Sequence, residues 1–219
     1  MIEWVVKIGG SLFPNDAIEV AKTIEGTKSL IVIGGGEFAN LIRKYDEELS
    51  LSLEITHKTA IDSMDILAKL VDDKVKSTKL VTSIEEARKI SNNGLTPILL
   101  TSYLLEENDP FEASWDVTSD SIAAYISHLI NAKLLIVTNV NGIYTREPTE
   151  EGSKFIGLID AITLLTFDET SIDLKLPSLL IEFGTNCYIV NGKYPERVLS
   201  IIRNDSDNFN FEYTKVIGD

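Results

Sequence analysis

The stretch "VVKIGGSLF", Val5 to Phe13, sets one lysine inside a short apolar run that ends in two glycines and a serine. The run is rich in β-branched residues and is followed by a helical pattern over 16–25, which reads as strand, tight turn and helix. The same alternation continues through "SLIVIGG" and helical patterns over 37–49 and 55–74, then "TKLVTS", a helix over 84–92 and "TPILL". Beyond these the pattern predicts a helix over about 118–131, the strand "KLLIVTNV" and a turn-rich stretch to Gly157. A helix near 173–183, the strand "NCYIVNG", a helix over 195–203 and a terminal strand near "FEYTKVI" complete the chain. Strands separated by helices predict an α/β fold, a three-layer α/β/α sandwich with a mostly parallel central sheet. Exposed loops are expected at 105–117, 145–157 and 204–211.

The bulk properties narrow the function. A chain of 219 residues with 44% hydrophobic content suits one domain with a full core. A net charge of −14 opposes nucleic acid and anionic membrane surfaces, so a phosphate-bearing ligand needs a local site that overcomes the global field. The single cysteine, Cys187, excludes an internal disulfide or a cysteine-based zinc cluster and is expected to be a small core residue. No leader pattern precedes the first strand and no apolar run approaches the roughly 20 residues of a membrane span, so a cytoplasmic protein is expected.

Ligands of parallel sheets gather outside the carboxyl ends of the strands. Three such ends carry chemistry: Gly9-Gly10-Ser11, Gly34-Gly35-Gly36, and "TNVNGIY" from Thr138. Glycines at a strand-to-helix turn let backbone N–H groups approach an anion, and the helix N-terminus adds partial positive charge. Tight turning alone is the plain alternative. "GGGEFA" also fits the dinucleotide pattern G-x-G-x-x-A, although it follows the second strand rather than the first. Neither loop is a Walker A motif, because Lys7 precedes its glycines. A strand lysine there can run its stem along apolar surface and deliver its ammonium to the loop's anion, or else face solvent from an edge strand. Asp120 in "TSDSIAA" opens a helix, where Ser119 or Asp120 could serve only as a cap.

Taken together, "KIGGS", "GGG", "TSDSIAA", "TNVNGIYTREP" and "TSIDLKLPSLL", in that order, resemble the amino acid kinase family over nearly the whole chain. "ITHKTAIDSM", "WDVTSDSIAA" and "CYIVNGKYPERV" are most similar to a short archaeal branch of it. The resemblance implies phosphoryl transfer from ATP with Mg2+, the metal arriving on the ATP phosphates rather than on protein ligands. It implies catalytic roles for Lys7 and Lys175, held by Asp120. ATP contacts are implied for Gly9, Gly10, Ser11, Thr138, Asn139, Gly142, Tyr144 and Pro148. Acceptor contacts are expected from Gly34, Gly35, Gly36, His57 and, opposite a substrate amine, Asp116, with Trp115 as a wall. The acceptor part is expected over about 1–132 and the nucleotide part over about 133–219.

Relatives in the family phosphorylate carboxylates or existing phosphate monoesters, including uridylate and isopentenyl phosphate. The branch points to a monoester, with aminomethylfuran-methyl phosphate as the expected acceptor, and a homo-oligomer is expected. No general base is evident, and a monoester needs none to attack. Many relatives have D-V-D where this chain has Asn139-Val140-Asn141, which puts contacts through those carboxylates in doubt. Two other classes stay open: a non-catalytic nucleotide or oxyanion binder on the same fold, and a nicotinamide-dependent oxidoreductase through "GGGEFA".

Overall fold

The computed structural model describes residues 1–107, 109–167, 170–203 and 209–218. Strand β1 (Trp4–Ile8) lies in the interior of an eight-stranded sheet, between β2 (Ser29–Ile33) and β5 (Lys133–Thr138), and pairs in parallel with both. All five of its residues are buried, which accounts for a continuous apolar run in place of strict alternation. Lys7 sits opposite Val32 and Ile136, so it is no edge-strand lysine.

Outward from β2 come β4 (Thr96–Leu99) and β3 (Thr78–Val81); outward from β5 come β9 (Cys187–Asn191), β10 (Thr214–Ile217) and β8 (Leu158–Asp160). Every pairing is parallel except β9 with β10. The mostly parallel sheet and the terminal strand are thus as expected, and β8, which the sequence did not suggest, takes the edge beside that strand. A short hairpin of β6 (Ile143–Tyr144) and β7 (Phe155–Ile156) stands apart.

The pleat of β1 divides the core. Trp4, Val6 and Ile8 pack with α1 (Asn15–Thr23) and α9 (Pro195–Arg203). Val5 packs with α6 (Ser119–Ile130) and α8 (Leu176–Phe183). Lys7 shares the parity of Val5, so its side chain leaves the strand toward α6. Two long helices, α2 (Gly36–Leu49) and α3 (Leu53–Lys74), pack against each other beyond β2, and α4 (Ile84–Asn92) joins β3 to β4.

The exposed loop expected from 105 begins later, because α5 (Thr101–Glu107) runs into it. Its first turn is held by buried Asp65 of α3, which accepts from Thr101 Oγ1 at 3.3 Å and from Ser102 Oγ. Burial pushes the Asp65 carboxyl up, against the pull of these donors. A cap supplied from 36 residues away leaves no local signature. A short helix α7 (Ala161–Leu164) follows β8. Of the loop expected over 204–211, residues 204–208 lie outside the described residues. Among the described residues no helix is long and apolar enough to cross a membrane.

Candidate active site

The carboxyl ends of β1, β2 and β5 open into a cavity of about 900 Å³. On its wall Lys7 Nζ stands 2.7 Å from Asp120 Oδ1, with both residues under 8% exposed. Thr118 is the N-cap of α6, so neither Ser119 nor Asp120 is the cap. The Asp120 carboxylate is therefore left for the lysine, and its Oδ1 makes that charge contact without any aligned hydrogen bond. A buried pair of this kind is costly to assemble unless the surroundings complete it, which is why its position at a cavity wall bears on function.

Gly9, Gly10, Ser11, Gly34, Gly35 and Gly36 all line the same cavity. The Gly9 N–H donates to Val137 and the Gly34 N–H to Ile8, each extending the sheet by one residue. The next N–H groups open a 3-10 turn (Gly10–Leu12) and α2, and the first N–H groups of a helix have no intrahelical partner. Unpartnered N–H groups of this kind can receive an oxyanion. The loops are not independent: a Cβ on Gly10 would fall on the backbone of Gly36, and Gly36 itself has φ +55°. A Cβ on Gly35 would instead run into Ser63 and Ala39. Glycine is thus required at Gly10 for the contact between the loops and at Gly35 for the contact with α3.

A second cavity of about 200 Å³ is walled by Thr138, Asn139, Gly142, Tyr144 and Pro148, the residues expected around the nucleotide. It shares Thr138, Thr170 and Ser171 with the larger one, so the two cavities adjoin. Asn141 lies on neither wall. Its side chain donates to Glu212 at 2.7 Å and accepts from Asn191 at 2.9 Å, a structural commitment. Burial, then the charge of Glu212, raises the Tyr144 pKa.

The remaining expected residues are more dispersed. His57 lines the large cavity, 8% exposed, with Nε2 2.8 Å from Asp109 Oδ2. Ser63 is the α3 residue against Gly35, and six residues of helix are about 9 Å, so His57 faces the far end of the cavity rather than the glycine turn. Asp116 is exposed and off the wall, whereas its neighbour Trp115 is on it. Lys175 is exposed and off both walls; its N–H donates to the Asp116 carbonyl at 3.3 Å.

Several wall features were not read in the sequence. Trp115 donates Nε1–H to Asp46 at 2.8 Å, and the Arg43 guanidinium lies 4.8 Å from its ring centroid. Arg43 also lines the cavity. Asp173 lines it too, tied to α6 and α8 by its carboxylate. Among the described residues no group of three or more His, Cys, Asp or Glu side chains is arranged to hold a metal ion.

A parallel sheet with paired glycine turns and a buried lysine at its switch point defines a protein that handles phosphoryl groups. The chain belongs to the amino acid kinase family, whose model matches residues 3–191. It is 37% identical to the [5-(aminomethyl)furan-3-yl]methyl phosphate kinase of Methanocaldococcus jannaschii, over 98% of this chain and 97% of that one. The uridylate kinase of Archaeoglobus fulgidus has a similar structure, with a TM-score of 0.74 at 21% identity over 98% of this chain and 99% of that one. The T. acidophilum isopentenyl phosphate kinase product complex gives 0.64 at 17% identity over 98% and 99%. At such identities the structural likeness speaks for the fold. The relatives are kinases, and the chain is a phosphotransferase with ATP as its phosphoryl donor.

Proposed function

We propose that this protein transfers the γ-phosphoryl group of ATP to a phosphate monoester to give a diphosphate, with [5-(aminomethyl)furan-3-yl]methyl phosphate as the leading acceptor. The observation that carries the reading is the buried Lys7–Asp120 pair between two touching glycine turns, beside the smaller cavity. The 37% identity across nearly the whole chain supports the choice of acceptor.

An acceptor phosphate oxygen attacks the γ-phosphorus, the new O–P bond forms, the bond to the β-bridging oxygen breaks and ADP leaves. The monoester carries roughly −1.5 to −2 charge near pH 7, so it attacks without a base. Lys7 neutralises the transferring group, Asp120 fixes Lys7, and Lys175 supplies a second cation. Gly9, Gly10 and Ser11 hold ATP phosphates, with Thr138, Asn139, Gly142, Tyr144 and Pro148 around the nucleoside. Gly34, Gly35 and Gly36 hold the acceptor phosphate, while His57 and Trp115 face its other end; Asp116, exposed beside Trp115, would meet a substrate amine only at the rim. A magnesium ion on the ATP phosphates would add charge neutralisation; with no carboxylate cluster among the described residues, the nucleotide itself would hold it. In this reading residues 1–132 serve the acceptor and 133–219 the nucleotide within one domain, in the cytoplasm.

Helix α2 has no buried residue, and Phe38, Leu41 and Tyr45, each more than 40% exposed, follow one another at helical spacing. Ile66 and Leu70 of α3, the helix packed against α2, are also more than 40% exposed, and a second copy of the chain would cover apolar surface of this kind. Leu41→Glu should then convert an oligomer to a monomer in size-exclusion chromatography.

The deciding experiment is an ATP-consumption screen over the furan phosphate, isopentenyl phosphate and UMP, with phosphorus NMR on the product. A coupled pair of diphosphate signals is expected. ATP binding without turnover on any acceptor supports the non-catalytic binder instead, and a single new monoester signal from an alcohol sinks the monoester reading.

A further inference from the structure

Asp173 sits where three parts of the site meet. Its Oδ2 accepts from Thr118 N–H at 2.9 Å, Thr118 Oγ1 at 2.9 Å and Ser121 N–H at 3.0 Å. Its Oδ1 accepts from Ser121 Oγ at 2.6 Å and from Leu176 N–H at 2.8 Å. Its own N–H donates to Asp120 Oδ2 at 3.2 Å. One side chain thus closes the first turn of α6 and the first turn of α8, and its backbone holds the carboxylate that pairs with Lys7. Lys175 is the N-cap residue of α8, immediately before Leu176.

We propose that Asp173 is a positioning residue for phosphoryl transfer, locking the backbone that carries Asp120 to the backbone that carries Lys175 so that both lysines address one phosphoryl group. This rests on the phosphotransferase reading through the part it gives Lys175. All five partners of the carboxylate are donors, and three are backbone N–H groups that cannot reverse. Burial, then the negative charge of Asp120, pushes the Asp173 carboxyl up, and the Ser121 and Thr118 donors oppose that rise. Without those donors two neighbouring carboxylates would be poorly tolerated.

The geometry separates the two ends of the bracket. An asparagine at 173 has one acceptor oxygen, and the Oδ2 position faces two backbone N–H groups while Oδ1 faces one and a hydroxyl that can rotate. The amide oxygen should therefore stay with α6, turning the NH2 group against the Leu176 N–H. Asp173→Asn loosens the Lys175 end and spares the cap of α6. Ser121→Ala removes one donor of α6 and keeps both the carboxylate and its bond from the Leu176 N–H, so it loosens the same bracket more weakly and from the α6 end.

The test is steady-state kinetics with ATP and [5-(aminomethyl)furan-3-yl]methyl phosphate on the full chain. The variants are Asp173→Asn, Ser121→Ala, Lys175→Ala and the Asp173→Asn/Lys175→Ala double variant, each with a melting curve. Expected is a fall in kcat of about tenfold or more for Asp173→Asn with both KM values nearly unchanged. Ser121→Ala should lose less, and reads the same split should Asp173→Asn fail to fold. The double variant should be no slower than Lys175→Ala alone, because the two act through one group. Multiplying losses, or wild-type kcat in both Asp173→Asn and Ser121→Ala beside a slow Lys175→Ala, would overturn the inference alone. Wild-type turnover in Lys175→Ala would overturn both the inference and the part that the phosphotransferase reading gives that lysine.

Discussion

Lys7 projects from an interior strand, 7% exposed, with a carboxylate 2.7 Å from its ammonium; Lys175 stands exposed at the start of an eight-residue helix. Both are given the same task, yet the first is held by a sheet and an ion pair and the second by backbone contacts to Asp116 and the neighbourhood of Asp173. A strand-borne cation is pre-organised and its charge must be compensated by a buried partner. A helix-start cation needs no such compensation and has its position set by its neighbours' backbone. Mutating each should therefore look alike in turnover and unlike in stability.

The largest effect is expected at Lys7. Lys7→Ala removes a charge that matters most in the transition state, so turnover should fall on the order of a hundredfold or more. It also leaves Asp120 buried without its partner, at a cost of about 3 kcal/mol or more, which a denaturant titration would read. Lys175→Ala should lose turnover without moving the denaturation midpoint, since an exposed ammonium contributes little to folding. Equal midpoint shifts in the two variants would mean that the two lysines are held alike.

Next in size is Gly10→Val. The sequence suggests one loop for ATP and one for acceptor, so separate damage; the fold brings Gly10 against Gly36, so a side chain at Gly10 must displace the second loop. Affinities for both ligands should fall by about tenfold or more, consistent with lost charge-assisted contacts at each cradle. Calorimetric titrations of ATP and of the furan phosphate decide it, and loss confined to ATP would show that the loops act separately.

The difference between the two lysines also explains what the sequence could reveal. Lys7 and its glycines are contiguous, so strand, turn and cation are legible in one short stretch, and the alternation of strands and helices is legible along the chain. Asp120 is legible as an acidic residue at a helix start. The partners that complete the site are not: Trp115 meets Asp46 across 69 residues, Thr118 meets Asp173 across 55, and α5 is capped by Asp65 across 36. Hydrophobic period and turn chemistry carry no trace of such pairs. The position of Lys175 was legible as a motif, whereas its exposure was not, because exposure depends on how the Thr170–Lys175 stretch folds over α6.

A smaller effect concerns Cys187, which lies behind the ion pair on β9. Burial first, and then the charge of Asp120, pushes its thiol well above the ordinary range. At pH 8 the folded protein should hold the protonated thiol and resist alkylation, and labelling should follow only on unfolding. Iodoacetamide mass shifts with and without denaturant would check this, and rapid labelling of the native chain would place Cys187 outside the core.

The smallest effect is expected at Arg43, and it tests whether a cation outside the buried pair contributes at long range. Seven residues of helix separate it from Gly36, about 10 Å, with the side chain leaning back toward the helix N-terminus. Its guanidinium lies over Trp115, whose ring is held by Asp46, and stacking leaves the N–H edge of the guanidinium free for an oxyanion. In a chain of net charge −14 a cation on the cavity wall offsets the field that repels a dianionic acceptor. Because Arg43 is exposed, that help is screened by salt, with a Debye length of about 10 Å at 0.1 M. Arg43→Ala should raise the acceptor KM several-fold at low ionic strength, on the scale of a single exposed charge contact, and leave kcat nearly unchanged. The ratio of acceptor KM between variant and wild type should shrink toward one as salt rises, which distinguishes a field effect from a lost hydrogen bond. A ratio that persists at 1 M salt would mean that Arg43 grips the acceptor directly, and no change at any salt would confine its role to packing on Trp115.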